Sequence, residues 1–141
     1  MTFFVILAHF IFAAEEPNKC YRLLVTNFSH SGQWTIAANR NYLESNTRNS
    51  YAFAHFSGTG VYLHLKRINY DGRFDLTLDG QFIKTINVDS NDWPTAYINE
   101  SLPFGDHSLK ITVIQGTISI DYLSVKPAED HDLLYIKLEN C

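Results

Sequence analysis

The sequence has no block of like charge, no internal repeat, no low-complexity segment and no stretch over which a helical period persists. Each absence excludes something. Its 11 basic and 15 acidic residues are scattered and sum to −4, which leaves no electrostatic footprint for a nucleic acid or for an anionic membrane surface. There is no G-x-S-x-G elbow, no P-loop and no Cys/His pair in a nucleophile setting. The carboxylates Asp71, Asp75, Asp79, Asp92 and Asp106 fall in predicted turns or on solvent-facing positions, where charge is expected without any role in glycoside hydrolysis. The pattern is that of a noncatalytic protein. Cysteine is scarce, with only Cys20 and Cys141 at opposite ends of the chain, and the six histidines are dispersed, so no zinc spacing exists. No D-x-D-x-D-G calcium loop is present either. The longest hydrophobic run, Phe3 to Ala14, is about 12 residues against the roughly 20 needed to span a bilayer.

That run ends in small residues just before Glu15-Glu16-Pro17, which reads as a secretory signal peptide over 1–14, the alternatives being an uncleaved anchor or a buried first strand. Secretion places the protein outside the cell or at its surface, with no membrane insertion after cleavage. Asn27-Phe28-Ser29 and Asn99-Glu100-Ser101 satisfy the glycosylation triplet and agree with that route. An oxidising compartment would let Cys20 and Cys141 pair, since the ends of a small domain often lie close together. Two unpaired thiols, or a terminal Cys141 crosslinking another chain, are the alternatives.

At 141 residues the chain suits one domain with a real core. The period is two almost throughout, with apolar runs separated by glycine turns, which predicts an all-β antiparallel sandwich over 20–127 and a tail or extra strand over 128–141. Expected strands are 21–28, 34–36, 51–56, 61–66, 74–78, 82–88, 96–98, 108–114 and 117–125. Asn39 to Asn49 is the longest polar interval and predicts a surface loop. In the central hairpin, a two-residue Asp79-Gly80 turn would point Phe82, Ile86 and Val88 away from Phe74, Leu76 and Leu78. A three-residue loop of Leu78-Asp79-Gly80, with Gly80 left-handed in a bulge, puts both sets on one face and is the expectation. Ile118 and Ile120 alternate in one phase and Leu123 and Val125 in the other, so a kink or bulge is expected near Asp121-Tyr122. Leu134, Ile136 and Leu138 suit either one more strand or an amphipathic tail.

The series Gly32-Gln33-Trp34, Phe56-Ser57-Gly58-Thr59-Gly60-Val61, Leu78-Asp79-Gly80, Gly105-Asp106-His107-Ser108-Leu109-Lys110-Ile111 and Ile120-Asp121-Tyr122-Leu123-Ser124-Val125 resembles the galactose-binding-domain-like jelly rolls. These include the carbohydrate-binding modules appended to glycoside hydrolases. The resemblance spans roughly residues 21 to 127 and speaks more to fold than to function, because the superfold also hosts protein-binding and structural members. It implies that Gly58 and Gly60 are structural, that His107 is a hydrogen-bonding turn residue rather than a ligand, and that Trp34 packs rather than forms a binding platform. Several such sandwiches hold a structural calcium through one carboxylate on the last strand and another near the N-terminus. Asp121 matches the first position, while Glu15 and Glu16 lack the acidic pattern of the second. No other cofactor is implied.

Sugar recognition needs flat aromatic faces for pyranose C–H surfaces and amides or carboxylates for hydroxyls. Three stretches supply both: Tyr42 with Asn39 to Asn41; Asn69, Tyr70 and Asp71; and Asn91, Trp93 and Tyr97. The alternative is that Trp93 and Tyr97 cover the core edge and the asparagines form ordinary turns. Two functions follow, a lectin-like module that binds a glycan or glycoprotein through loops at one end of the sandwich, or a subunit of an extracellular or surface assembly that uses the same sandwich for protein contacts.

Overall fold

Because side chains alternate across a strand, the apolar phase of each run decides which face turns inward. In the computed structural model, which describes residues 19–37, 41–66, 68, 71–88, 95–127 and 138–141, that phase produces two facing sheets. The strands are β1 (Lys19–Leu24), β2 (Ser29–Ser31), β3 (Thr35–Ile36), β4 (Leu43–Ser45), β5 (Tyr51–Gly58), β6 (Gly60–Leu65), β7 (Arg73–Leu78), β8 (Gln81–Asn87), β9 (Thr95–Asn99), β10 (Gly105–Gln115), β11 (Ile118–Lys126) and β12 (Glu139–Asn140). One sheet has the order β2-β5-β10-β7-β8. The other is built on β11: β6 and then β9 lie along one edge, while β1 and β4 share the opposite edge, flanked by β12 and β3. All these pairings are antiparallel. Phe56, Phe74, Leu76 and Ile111 from the first sheet meet Leu63, Ile120, Leu123 and Val125 from the second in a single core cluster.

The all-β antiparallel sandwich is as the alternation predicts, and so is the irregularity in the last strand. Ile120 pairs with Leu65 and Tyr122 with His64, so Asp121 is the extra residue of a bulge in β11. The bulge carries the inward phase from Ile118 and Ile120 to Leu123 and Val125.

The central hairpin differs from its expectation. Leu78 pairs with Gln81, so the turn is two residues, Asp79-Gly80, with φ of 51° and 79°, the left-handed pair that joins twisted strands. The bulge lies further along β8. Thr77 faces Phe82 but Leu76 faces Lys84, which leaves Ile83 extra. Ile86 then pairs with Phe74 and packs on the core with Val88, whereas Phe82 points outward and is 61% exposed. Gly80 is left-handed as expected; the residue that corrects the phase is Ile83.

Two boundaries also move. The expected 21–28 strand ends at Leu24, where a 3-10 turn at Val25–Asn27 redirects the chain so that Val25 and Phe28 are buried. The 39–49 interval is not wholly loop, because Leu43 and Ser45 are buried in β4 and pair with Ile120 and Ile118. One fully buried leucine outweighs a run of polar neighbours. Gly58 acts through space rather than positive φ: an added Cβ would lie 2.3 Å from the Lys126 carbonyl oxygen, where β5 passes beneath the end of β11.

Cys20 and Cys141 form a disulfide with Cα atoms 5.1 Å apart. The end of the chain forms β12 beside the first strand, with Lys19 paired to Asn140 and Cys20 to Glu139. The leader expected over 1–14 lies outside the described residues, as does most of the 128–141 tail. Among the described residues no helix is long and apolar enough to cross a membrane.

Candidate functional site

Strand register sorts the sequence-derived candidates by place. His64 pairs with Thr95, and Arg73 with both Asn87 and Gln115, so the strand ends flanking 66–72 and 88–94 lie at the same end as the Gly116 turn. Asn69, Tyr70, Asn91 and Trp93 themselves lie outside the described residues. Asp71 is at this end and exposed, and its Oδ1 accepts the Thr117 N–H at 3.4 Å, tying the start of β7 to the start of β11. Tyr97 is half-buried, pairs with Leu63 and packs on the core. Its hydroxyl accepts from Asn99 Nδ2 at 3.2 Å, and the Lys84 ammonium lies 5.9 Å from its ring centroid, bridging the two sheets at their open side. Tyr42 is elsewhere. β4 runs from Leu43, opposite Ile120, toward Ser45 at the Gly116 end, so Tyr42 lies behind it, half-buried, with its carbonyl accepting from Ala37 N–H at 3.0 Å. Asp71 and the start of the strand that carries Tyr97 share an end of the sandwich, and Tyr42 precedes β4 on the other edge of β11.

Asp121 occupies the β11 bulge and is half-buried. Among the described residues no three His, Cys, Asp or Glu side chains come together in a way that could hold a metal ion. Of the two glycosylation triplets, Asn27 is exposed in the 3-10 turn. Asn99 is half-buried, with Oδ1 accepting the Ser101 N–H at 3.0 Å.

The opposite end, around Gly58, holds His107. Its Nδ1 lies 2.7 Å from Asp79 Oδ2 and its Nε2 2.7 Å from the Pro103 carbonyl oxygen. Both partners are acceptors, so both contacts are hydrogen bonds only when each ring nitrogen carries a proton, which makes the bound imidazole a cation. Burial works against that charge, but the Asp79 hydrogen bond, the Pro103 carbonyl and the Asp79 and Asp106 charges together raise the His107 pKa. Asp79 is held low despite the cost of burial, by His107 and by the Ser108 N–H that it accepts at 2.8 Å. His107 is a structural hydrogen-bonder that fastens the hairpin turn to β10, the role the resemblance implies. A pH dependence follows. The raised His107 contributes stability that is complete below its unfolded value of 6.5 and is lost as pH rises through the higher folded value. The lowered Asp79 contributes stability present above its unfolded 3.8 and lost as pH falls through the lower folded value. Thermal melts should therefore be highest between about pH 4 and 6.5. His107→Gln should flatten the decline above that window; an unchanged profile would sink the assignment.

On the outer face of the β11 sheet, the His64 imidazole is stacked on Tyr122 with centroids 4.3 Å apart, and the Arg22 guanidinium lies 4.2 Å from the Tyr122 centroid. His64 bonds Ser124 Oγ through Nε2 and Thr95 Oγ1 through Nδ1, both at 3.1 Å. Burial holds its pKa low with help from Arg22, against Asp121 and a backbone hydrogen bond at Cys141.

The outer face of the other sheet is different. Ala52, Ala54 and Phe56 of β5 are buried, which turns Tyr51, Phe53 and His55 outward. The Tyr51 and Phe53 centroids are 6.2 Å apart, and Phe53 meets His55 edge-on at 5.4 Å. Lys110 Nζ sits 4.4 Å from the Tyr51 centroid. Sequence reading missed this row. The Tyr-Ala-Phe-Ala-His-Phe pattern has apolar residues in both phases, and a buried alanine phase beneath an outward aromatic phase reverses the usual assignment. The two alanines were the available signal.

No family model matches the chain, and no curated protein matches it. Solved structures do. The CBM36-1 domain of a multidomain xylanase from the hindgut metagenome of Trinervitermes trinervoides superposes with a TM-score of 0.59 at 20% identity, over 80% of this chain and 100% of that one. A family two carbohydrate esterase from Cellvibrio japonicus gives 0.61 at 14% identity, covering 79% of this chain. A two-domain esterase active on acetylated mannans gives 0.61 at 10% identity, again over 79%. The chain spans only 36% and 38% of the two esterases, so it corresponds to one part of each. At these identities the likeness is one of fold: the chain is an antiparallel jelly-roll β-sandwich like the structures on which it superposes.

Proposed function

We propose that this protein is a secreted, noncatalytic, lectin-like module that binds a glycan or the glycan of a glycoprotein. The observation that carries the reading is its correspondence to the whole of a carbohydrate-binding domain, end to end, and to only a fraction of each esterase. Its chemistry supports the same choice. Aromatic faces for C–H stacking stand beside hydroxyl and amine groups on the outward face of β5. The disulfide supports an oxidising compartment, hence the 1–14 leader and use of Asn27 and Asn99 as glycosylation sites.

A glycan array probed with the purified protein tests the function directly. Selective retention of a subset of glycans is expected, with no release of acetate or reducing ends from any bound polysaccharide. Silence across the array, with the protein sedimenting as a defined oligomer, would instead favour the assembly-subunit reading, for which the exposed Phe82, Ile98 and Phe104 offer apolar surface.

A further inference from the structure

We propose that the outward face of β5 is the binding platform: Tyr51, Phe53 and His55 form a line of rings along which a neutral, linear glycan lies parallel to the strand. The proposal rests on the carbohydrate-binding reading above and adds to it the place of the site and the shape of the ligand.

Consecutive outward positions on one strand produce a straight row, and here all three carry rings with centroids 6.2 and 5.4 Å apart. The neighbouring strands place polar groups on the same face. Tyr51 lies between Ser31 of β2 and Thr112 of β10, Phe53 lies between Ser29 and Lys110, and His55 faces Ser108. A pyranose has this same division, with an apolar C–H face and a rim of hydroxyls. It needs a ring beneath and hydrogen-bonding groups at the sides.

An apolar protein surface would strip water from Lys110 and the flanking hydroxyls while returning no hydrogen bonds, at a cost for each group. A glycan returns them. The Lys110 ammonium sits over the Tyr51 ring, which shows that this ring attracts electropositive partners of the kind sugar C–H groups are, and a stacking sugar must displace it. The flexible lysine stem lets the ammonium move to the rim. Lys110 is balanced on this face by Asp75, which lies beyond Thr112 and accepts from Thr85, so neither sign of ligand charge is favoured. The row of three rings, with Tyr51 and Phe53 tilted by 35° and His55 edge-on to Phe53, is long enough for an extended chain rather than a single terminal sugar.

The test is affinity electrophoresis in gels containing xylan, glucomannan or hydroxyethylcellulose. Wild-type protein should be retarded by at least one of them. Phe53→Ala should weaken that retardation by tenfold or more, and Tyr51→Ala or His55→Ala severalfold, while Phe104→Ala at the far end keeps it. If Phe53→Ala fails to fold by circular dichroism, Phe53→Leu retains apolar bulk without a flat ring and should show the same loss. Full retardation of Phe53→Leu together with loss in Trp93→Ala would overturn the platform and leave the carbohydrate reading intact. A wild type retarded by none of the gels and silent on the glycan array would remove that reading, and the platform with it. An oligomer that dissociates on Phe53→Leu substitution would identify the face as a protein interface and overturn the proposal.

Discussion

Replacing both Cys20 and Cys141 with serine should lower the unfolding free energy by about 4–5 kcal/mol, the largest single effect expected for this chain. The bridge joins residues 121 apart in sequence, so in the chain-entropy account it removes nearly all the freedom of the denatured chain's ends. The folded state loses something as well. β12 pairs with β1 at Lys19–Asn140 and Cys20–Glu139, and an Arg22–Glu139 ion pair at 2.7 Å joins the same strands. That ion pair is partly exposed and worth little alone. Without the covalent link β12 should detach, which gives a second, local signature. His64 is held below its usual pKa first by burial, and the Cys141 backbone is among its partners. The Cys141 hydrogen bond opposes the lowering, so releasing the tail should move the His64 titration further down. Urea denaturation of the double variant measures the global effect and histidine NMR the local one. A stability loss below about 1 kcal/mol would show that the denatured chain is already constrained, since the entropic model requires a free reference state.

Phe74→Ala should cost roughly 3–5 kcal/mol, as phenylalanine truncations in well-packed cores do. Phe74 is the largest fully buried side chain and lies in β7 between Val113 of β10 and Ile86 of β8. A sandwich has one core layer filled from both sheets, so a void at Phe74 cannot be closed by moving one loop; the whole pair of sheets would have to approach. The loss should appear as a lower denaturation midpoint with an unchanged dependence on denaturant, because the exposed surface on unfolding is nearly the same. Phe82→Ala is the natural comparison. It removes the same ring from the outward, 61% exposed position on β8, and its cost should be a small fraction of the Phe74 value. Equal losses would mean that the hairpin register is not the one described.

Those two phenylalanines show where the sequence could and could not be read. Alternation identified the longer strands, and the opposed phases of Ile118-Ile120 and Leu123-Val125 located the β11 bulge, because burial on one face leaves a phase change no other solution. In the 74–88 hairpin the phase mismatch was equally plain, but either the turn or the strand could absorb the extra residue. The turn was the wrong choice. Asp79 and Gly80 are both left-handed, and Asp79 is fastened to Ser108 and His107, so the slack passes to Ile83. For binding, the search for aromatics beside asparagines led to the connections. Tyr97 is instead committed to the core edge, and the aromatic row on β5 escaped notice because both of its phases are apolar.

Composition and period were enough for the class of molecule: an antiparallel sandwich that carries two cysteines far apart in sequence. Local propensity and face alternation act within a few residues of chain, and those properties follow from them. Whether Cys20 and Cys141 do meet, which of two apolar phases turns outward on β5, and that Asp79, Pro103 and His107 form one cluster all depend on contacts between residues distant in the sequence. Such contacts are set by how two sheets share a single core, where one buried leucine at Leu43 or one extra residue at Ile83 outweighs the preferences of its neighbours.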